Sequence, residues 1–236
     1  MDSDTARIYA EYQRRDREID YAFYSWAKPA NLLVHQQTVR SCIRLLQRSG
    51  VFPLHGRRVA DIGCGNGTWL LEFTQWGAEP ANLAGIDLMP ARVERARARL
   101  PQADIRTGTA AELPWPDRSF DLVSQFMMFM NIFDPALAAT AAHEMLRVLK
   151  PGGVILWFDV RVGNPRNPQM RAIRAAEIRS LFPGCAIDLS PTLLAPPLSR
   201  VLAGKAWPLA EALHAIPLLC THYAGIIRKP GVGTVK

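Results

Sequence analysis

The sequence predicts an α/β fold in which helices cover both faces of a mostly parallel sheet. Two observations lead there. Short apolar runs of strand length alternate with longer segments of helical periodicity, and the first run, Val59-Ala60-Asp61-Ile62, leads into a glycine cluster at Gly63, Gly65 and Gly67. Repeated strand and helix alternation builds a parallel sheet with crossover helices on its faces. An unbroken apolar run suits a strand buried from both sides.

In chain order, Thr5 to about Tyr24 reads as an aromatic-rich helix, and Leu32 to Gly50 as a second helix with Gly50 as its C-terminal cap. Five β-α units follow, with strands near Arg57 to Ile62, Leu83 to Leu88, Ala103 to Thr107, Asp121 to Gln125 and Val154 to Asp159, and with Trp69 to Trp76 as the first crossover helix. Later strands are expected near Ala186 to Leu194 and Leu218 to Arg228. Between these, Ala195 to Pro217 carries Pro196-Pro197, Pro208 and many apolar residues. It reads as helical cover or as ordinary hydrophobic packing.

A length of 236 residues suffices for one large domain, and no linker or internal repeat divides it. The four cysteines, Cys42, Cys64, Cys185 and Cys220, lie far apart without C-x-x-C spacing. That argues against metal and disulfides and for a reducing, cytoplasmic setting. No run of about 18 apolar residues occurs, and the acidic, polar start lacks a signal-peptide core. A soluble chain without a membrane span is expected. Of the formal charge of +7, much sits in Arg92, Arg95, Arg97 and Arg99 around one helix and in Arg14, Arg15 and Arg17 among acids. This distribution reads as solvated helix surface rather than a nucleic-acid interface.

Clustered glycines let backbone pass close to a ligand, and Gly85-Ile86-Asp87 closes the second strand on a carboxylate, which only accepts hydrogen bonds. A dinucleotide site needs G-x-G-x-x-G to seat a pyrophosphate; Gly63-Cys64-Gly65-Asn66-Gly67 is G-x-G-x-G instead. This form resembles motif I of class I S-adenosylmethionine (SAM)-dependent methyltransferases. The resemblance continues in Gly108-Thr109-Ala110-Ala111-Glu112-Leu113-Pro114-Trp115, in Phe120-Asp121-Leu122-Val123-Ser124-Gln125 and in Glu144-Met145-Leu146-Arg147-Val148-Leu149-Lys150-Pro151-Gly152-Gly153. These blocks cover roughly residues 55 to 160 in the family's order and are closest to its small-molecule, type 11 group.

The resemblance implies a Rossmann-like, seven-stranded sheet of order 3-2-1-4-5-7-6 with the last strand antiparallel. It implies SAM as cofactor, S-adenosylhomocysteine as product, and a small-molecule acceptor, in a monomer or homodimer. Over the whole span 1–236, residues 1–50 would form a helical lid, 55–160 the SAM-binding core, 161–217 the acceptor-side loops and cover, and 218–228 the last strand. Cofactor contacts would come from Asp61, Gly63, Cys64, Gly65 and Gly67, from Asp87 on the ribose with Leu88, from Thr109, Ala110 and Ala111, from Gln125 and Phe126, and from Tyr24 and Trp26 in the lid. Thr109 stands where the family usually has an acid for the adenine amino group; its hydroxyl, Glu112 or backbone would serve instead. Tyr9, Tyr12, Tyr21 and Phe23 are further lid aromatics, Tyr9 and Tyr21 being favoured alongside Tyr24 and Trp26. All of them could equally form an amphipathic face packed on the core.

The fourth strand ends in Gln125-Phe126-Met127-Met128 rather than an N/D/S-P-P-Y/F tetrad, so Met127 and Met128 would wall a small organic acceptor. Asp159, Arg161 and Asn164, with Arg166 and Asn167, would contact it from the loop after the fifth strand, unless that loop simply faces solvent. Methyl transfer needs chiefly collinear positioning in a water-poor site. An oxygen nucleophile gains from a histidine base. Of the five histidines, His222 leads because the antiparallel last strand starts at the ligand edge, and His35 comes second; a hydrogen-bonded core histidine is the plain alternative. The resulting expectation is O-methylation in secondary metabolism or glycan tailoring. C- or N-methylation, RNA methylation and non-catalytic SAM binding are the other readings.

Overall fold

The computed structural model describes residues 3–164 and 167–231, apart from the side chains of Tyr21 and Tyr24. Strand β1 (Val59–Ile62) is buried along its whole length, as its apolar run requires. Around it lie β2 (Leu83–Asp87), β3 (Asp104–Thr107), β4 (Phe120–Phe126), β5 (Leu149–Val160), β6 (Ala186–Leu194) and β7 (Cys220–Arg228). The sheet order is β3-β2-β1-β4-β5-β7-β6, as expected. Pairing is parallel from β3 to β5, while β7 runs antiparallel to both its neighbours.

Helices α1 (Ser3–Glu18), α2 (Pro29–Arg48), α3 (Thr68–Gln75), α4 (Pro90–Arg99), α5 (Pro135–Val148), α6 (Ala175–Leu181), α7 (Pro196–Leu202) and α8 (Trp207–His214) complete the chain. Alternate strand residues face opposite sides of the sheet. Val59, Leu83, Leu122 and Leu156 join α2, α3 and α4 in one core. Ala60, Ile62, Val123 and Trp157 join α5 and α6 in the other.

Three expectations need correction. The count of five β-α units fails between β3 and β4, where Gly108 to Ser119 forms no helix; Pro114 and Pro116 withdraw backbone donors there. The first helix stops at Glu18, because the Asp20 side chain accepts the Ala22 N–H at 2.9 Å and starts a separate 3-10 turn, Tyr21–Tyr24. The arginines of α4 are structural as well as solvated. Arg97 donates to the Ile105 carbonyl at 2.8 Å, Arg99 to the Asn66 carbonyl at 2.9 Å, and Arg92 pairs with Asp16 of α1 at 2.5 Å.

Candidate active site

The carboxyl ends of β1, β2 and β4 open into a cleft of about 700 Å³, the position where parallel α/β sheets bind ligands. Its walls include Gly63, Asp87, Leu88, Thr109, Ala110, Ala111, Phe126, Met127 and Met128, all expected at the site.

The glycine loop is shaped for close approach. Gly63 has φ +77°, and a Cβ there would lie 3.2 Å from Met128 Cγ. Gly65, at φ +52°, faces open space instead, so the loop presents bare backbone on that side. The Asp87 carboxylate accepts the Gly65 N–H and the Met89 N–H, each at 2.9 Å. Burial raises the Asp87 pKa against the pull of these two N–H groups. Both oxygens retain lone pairs for ribose hydroxyls. Cys64 is buried against Gly85 rather than in the cleft. Gly67 caps α3 and lies close against Ala96 of α4.

Asp61, fully enclosed at the end of β1, accepts the Ser124 hydroxyl at 2.7 Å. Burial pushes its pKa to about 7, with the Ser124 hydrogen bond opposing and the neighbouring Asp87 charge adding to the rise. Gln125 is buried and points elsewhere: its carbonyl oxygen accepts the Met128 N–H at 3.1 Å, which shapes the turn after β4. Met127 sits in that turn at φ +62°, unusual for a side-chain-bearing residue, held by its N–H to the Phe158 carbonyl at 2.8 Å. Asp159 braces the same turn by accepting the Met130 N–H at 3.2 Å, and burial lifts its pKa to about 7.

Sequence reasoning missed much of the roof. It is made by Thr5, Ile8 and Tyr12 of α1, with Asn131, Ile132, Leu137 and Ala141 beside them. Among the described aromatic side chains before β1, Tyr12 reaches the cleft; its hydroxyl accepts from Asn131 Nδ2 at 3.1 Å and Arg92 covers its ring at 4.3 Å. The spacing of Thr5, Ile8 and Tyr12, three and four residues apart, was the available signal. The helix is fastened at its start by Asp4, which accepts the Phe133 and Asp134 N–H groups at 2.6 and 2.9 Å, and by Arg7, which donates to the Asn131 carbonyl.

Trp26, exposed to solvent, stacks on His35 at 4.3 Å, and His35 Nε2 lies 3.0 Å from Glu72; neither lines the cleft. An aromatic row continues through Trp69, Phe126 and Phe158 to His222, which stacks on Phe158 at 5.3 Å. His222 is buried, its Nδ1 lies 3.0 Å from the Thr221 hydroxyl, and burial lowers its pKa to about 4. Neither histidine lines the cleft. The Arg161 guanidinium donates to the Pro217 carbonyl at 2.7 Å and so ties β5 to the segment before β7. The Asn164 carbonyl accepts the Asn167 N–H at 2.9 Å. The Tyr24 side chain and Arg166 lie outside the described residues. No cluster of potential metal ligands occurs among the described residues.

Sheet order, glycine loop and acidic strand ends together match the fold of class I SAM-dependent methyltransferases. Residues 59–153 match the family model described as a methyltransferase domain. A probable SAM-dependent methyltransferase of Mycolicibacterium smegmatis is 35% identical over 58% of this chain and 54% of its own length. A phthiotriol/phenolphthiotriol dimycocerosates methyltransferase of Mycobacterium ulcerans is 33% identical over 61% and 55%. The chain thus spans about half the length of the curated relatives it matches. The crystal structure of a SAM-dependent methyltransferase from Archaeoglobus fulgidus shares the fold with a TM-score of 0.59 at 18% identity, covering 89% of this chain and all of that one.

Proposed function

We propose that this protein transfers the methyl group of SAM to a small, largely apolar organic acceptor, at oxygen. The observation that carries the reading is one cleft lined both by the glycine loop with Asp87 and by the apolar Phe126, Met127 and Met128. SAM, when bound, supplies a methyl carbon made electrophilic by its sulfonium. The chain's residues then have to position the acceptor and exclude water. Asp87 would hold the ribose, Asp61 would favour the cationic end of the cofactor, and the roof of Ile8 and Tyr12 would shut out solvent. The relative from Mycobacterium ulcerans, named for phthiotriol and phenolphthiotriol dimycocerosates, supports a hydroxylated, apolar acceptor over a sugar. His222 does not line the cleft, so this reading rests on positioning rather than on a histidine base.

The test incubates the protein with isotopically methyl-labelled SAM and panels of phenols, aliphatic alcohols, sugars, carboxylic acids and amines, with mass detection. Labelled ether products from phenols or apolar alcohols are expected. Label on carbon or nitrogen would move the target atom, and binding of SAM without product from any panel would favour a non-catalytic role.

A further inference from the structure

The segment between β6 and β7 has an outer face whose composition is unlike the rest of the surface. Along α7 and the turn after it, Pro197, Arg200, Val201, Gly204 and Lys205 are exposed at helical spacing; along α8 and beyond, Pro208, Leu209, Ala212, Ile216 and Leu218 are exposed. Val201 is 64% exposed, Leu209 49%, Ile216 44% and Leu218 84%. Exposed leucine, isoleucine and valine are unremarkable singly, but four of them within residues 201–218 of one helical segment are more than the ordinary scatter. The opposite faces of the same helices are satisfied, since Leu198, Leu202, Trp207 and Leu213 pack on Leu33 and Leu194.

Charge decides what the surface meets. Its exposed ions are Arg200 and Lys205, both basic, whereas the acid of the segment, Glu211, is turned inward and paired with Arg40 at 2.5 Å. Pro29 lies against Gly204, and the chain just before it adds exposed Phe23, Trp26 and Lys28. Within the α7–α8 segment, apolar side chains flanked by lysine and arginine, with no exposed acid, match the boundary of an anionic bilayer. The formal charge of +7 favours the same encounter. No helix among the described residues is long and apolar enough to cross a membrane, so the contact would be peripheral.

Position gives the surface a purpose. β6 ends at Leu194 beside the start of β7 at Cys220, and β7 begins beside the carboxyl end of β5. The cover therefore sits at the same sheet edge as the cleft. We propose that the α7–α8 face is a docking surface for anionic lipid membranes, with Leu218, Val201, Leu209 and Ile216 entering the interface and Arg200 and Lys205 meeting the headgroups. The docking stands independently of which acceptor the cleft takes.

The full chain is sedimented with vesicles of phosphatidylcholine alone and of phosphatidylcholine with phosphatidylglycerol. Binding to the anionic vesicles that weakens with salt is expected. Val201→Asp with Leu218→Asp should reduce it by about tenfold or more, because each leucine-sized insertion is worth roughly that factor. Arg200→Gln with Lys205→Gln should also lower it by about 25-fold, at roughly fivefold for each cation. These side chains are exposed, so the variants should keep the wild-type melting temperature and affinity for S-adenosylhomocysteine. Failure of the wild type to bind anionic vesicles overturns the proposal. Undiminished binding by the Asp variants does so too, by locating the contact elsewhere. Concentration-dependent dimerisation abolished by those variants, with no vesicle binding, overturns it in favour of a second copy of this chain.

Discussion

The carboxylate of Asp87 accepts the N–H of Gly65 at 2.9 Å, tying the end of β2 to the glycine loop that follows β1. Asp87 therefore organises the loop as well as facing the cleft, and its removal should act twice. Asp87→Ala should weaken S-adenosylhomocysteine binding by about 1 to 3 kcal/mol in isothermal titration, and should also lower the melting temperature of the ligand-free protein, since two backbone donors lose their acceptor. Unchanged affinity would remove Asp87 from the cofactor site. Gly63→Val should be worse, because its φ of +77° and its approach to Met128 leave no room for a branched side chain.

Thr109 has a local task. Its hydroxyl accepts the Ala111 N–H at 3.2 Å, closing the turn that forms one wall of the cleft. Thr109→Val should reduce SAM affinity severalfold and cost about 0.5 to 1.5 kcal/mol of stability. Thr109→Asp can keep the turn while offering a stronger acceptor, so it should hold or tighten binding. Equal affinity in all three proteins would move the adenine contact to Glu112 or to backbone.

The roof helix should open when its fastening is cut. Asp4→Ala leaves the Phe133 and Asp134 N–H groups without their partner and frees the nearby Arg7. Amide exchange in α1 should then rise by about tenfold or more, with bound S-adenosylhomocysteine dissociating faster, while exchange in β1 and β4 stays as in the wild type. Uniformly faster exchange across the sheet would instead mark α1 as part of the global folding unit.

His222 gives a prediction with a defined sign. Its pKa falls from an ordinary 6.5 to about 4 on burial, so the unfolded chain binds the proton more readily, and stability is lost as pH drops from 6.5 towards 4. The contribution amounts to about 3 kcal/mol at most. Asp61 and Asp159, raised from 3.8 to about 7, act oppositely: the folded state holds their protons, and stability falls as pH rises between those values. Comparing His222→Gln with the wild type in urea melts across this range cancels the carboxylate effect, and the variant should show the shallower acid loss. If His222 is also the base, turnover of the wild type should be flat above about pH 5, with His222→Gln slower by roughly 100-fold. A stability effect with unchanged turnover would leave His222 as packing.

The sheet was readable because its signals are local. Val59 to Ile62, the glycines after it and Asp87 each declare themselves within a few residues, and the order of blocks supplied the rest. Tyr12 was harder. Several aromatics compete in the first 26 residues, and the placing of Tyr12 at the cleft is fixed by Asp4, Arg7 and Asp16 gripping partners far along the chain. His35 and Trp26 illustrate the converse: their types suit a site, but His35 is held by Glu72 and stacked on Trp26, and neither lines the cleft. The α4 arginines looked like surface because their acceptors, the carbonyls of Asn66 and Ile105, carry no signature in sequence.

The stack of Trp69 on Phe126, with ring centres 3.9 Å apart and planes within 9°, gives the molecule a built-in optical gauge. Phe126 forms part of the cleft wall while Trp69 lies one ring behind it, so a molecule settling into the cleft shifts the surroundings of an indole it never touches. Emission from Trp69, isolated by replacing the other indoles with phenylalanine where they tolerate it, would then follow filling and emptying of the cleft in real time, without labelled cofactor or any knowledge of the acceptor.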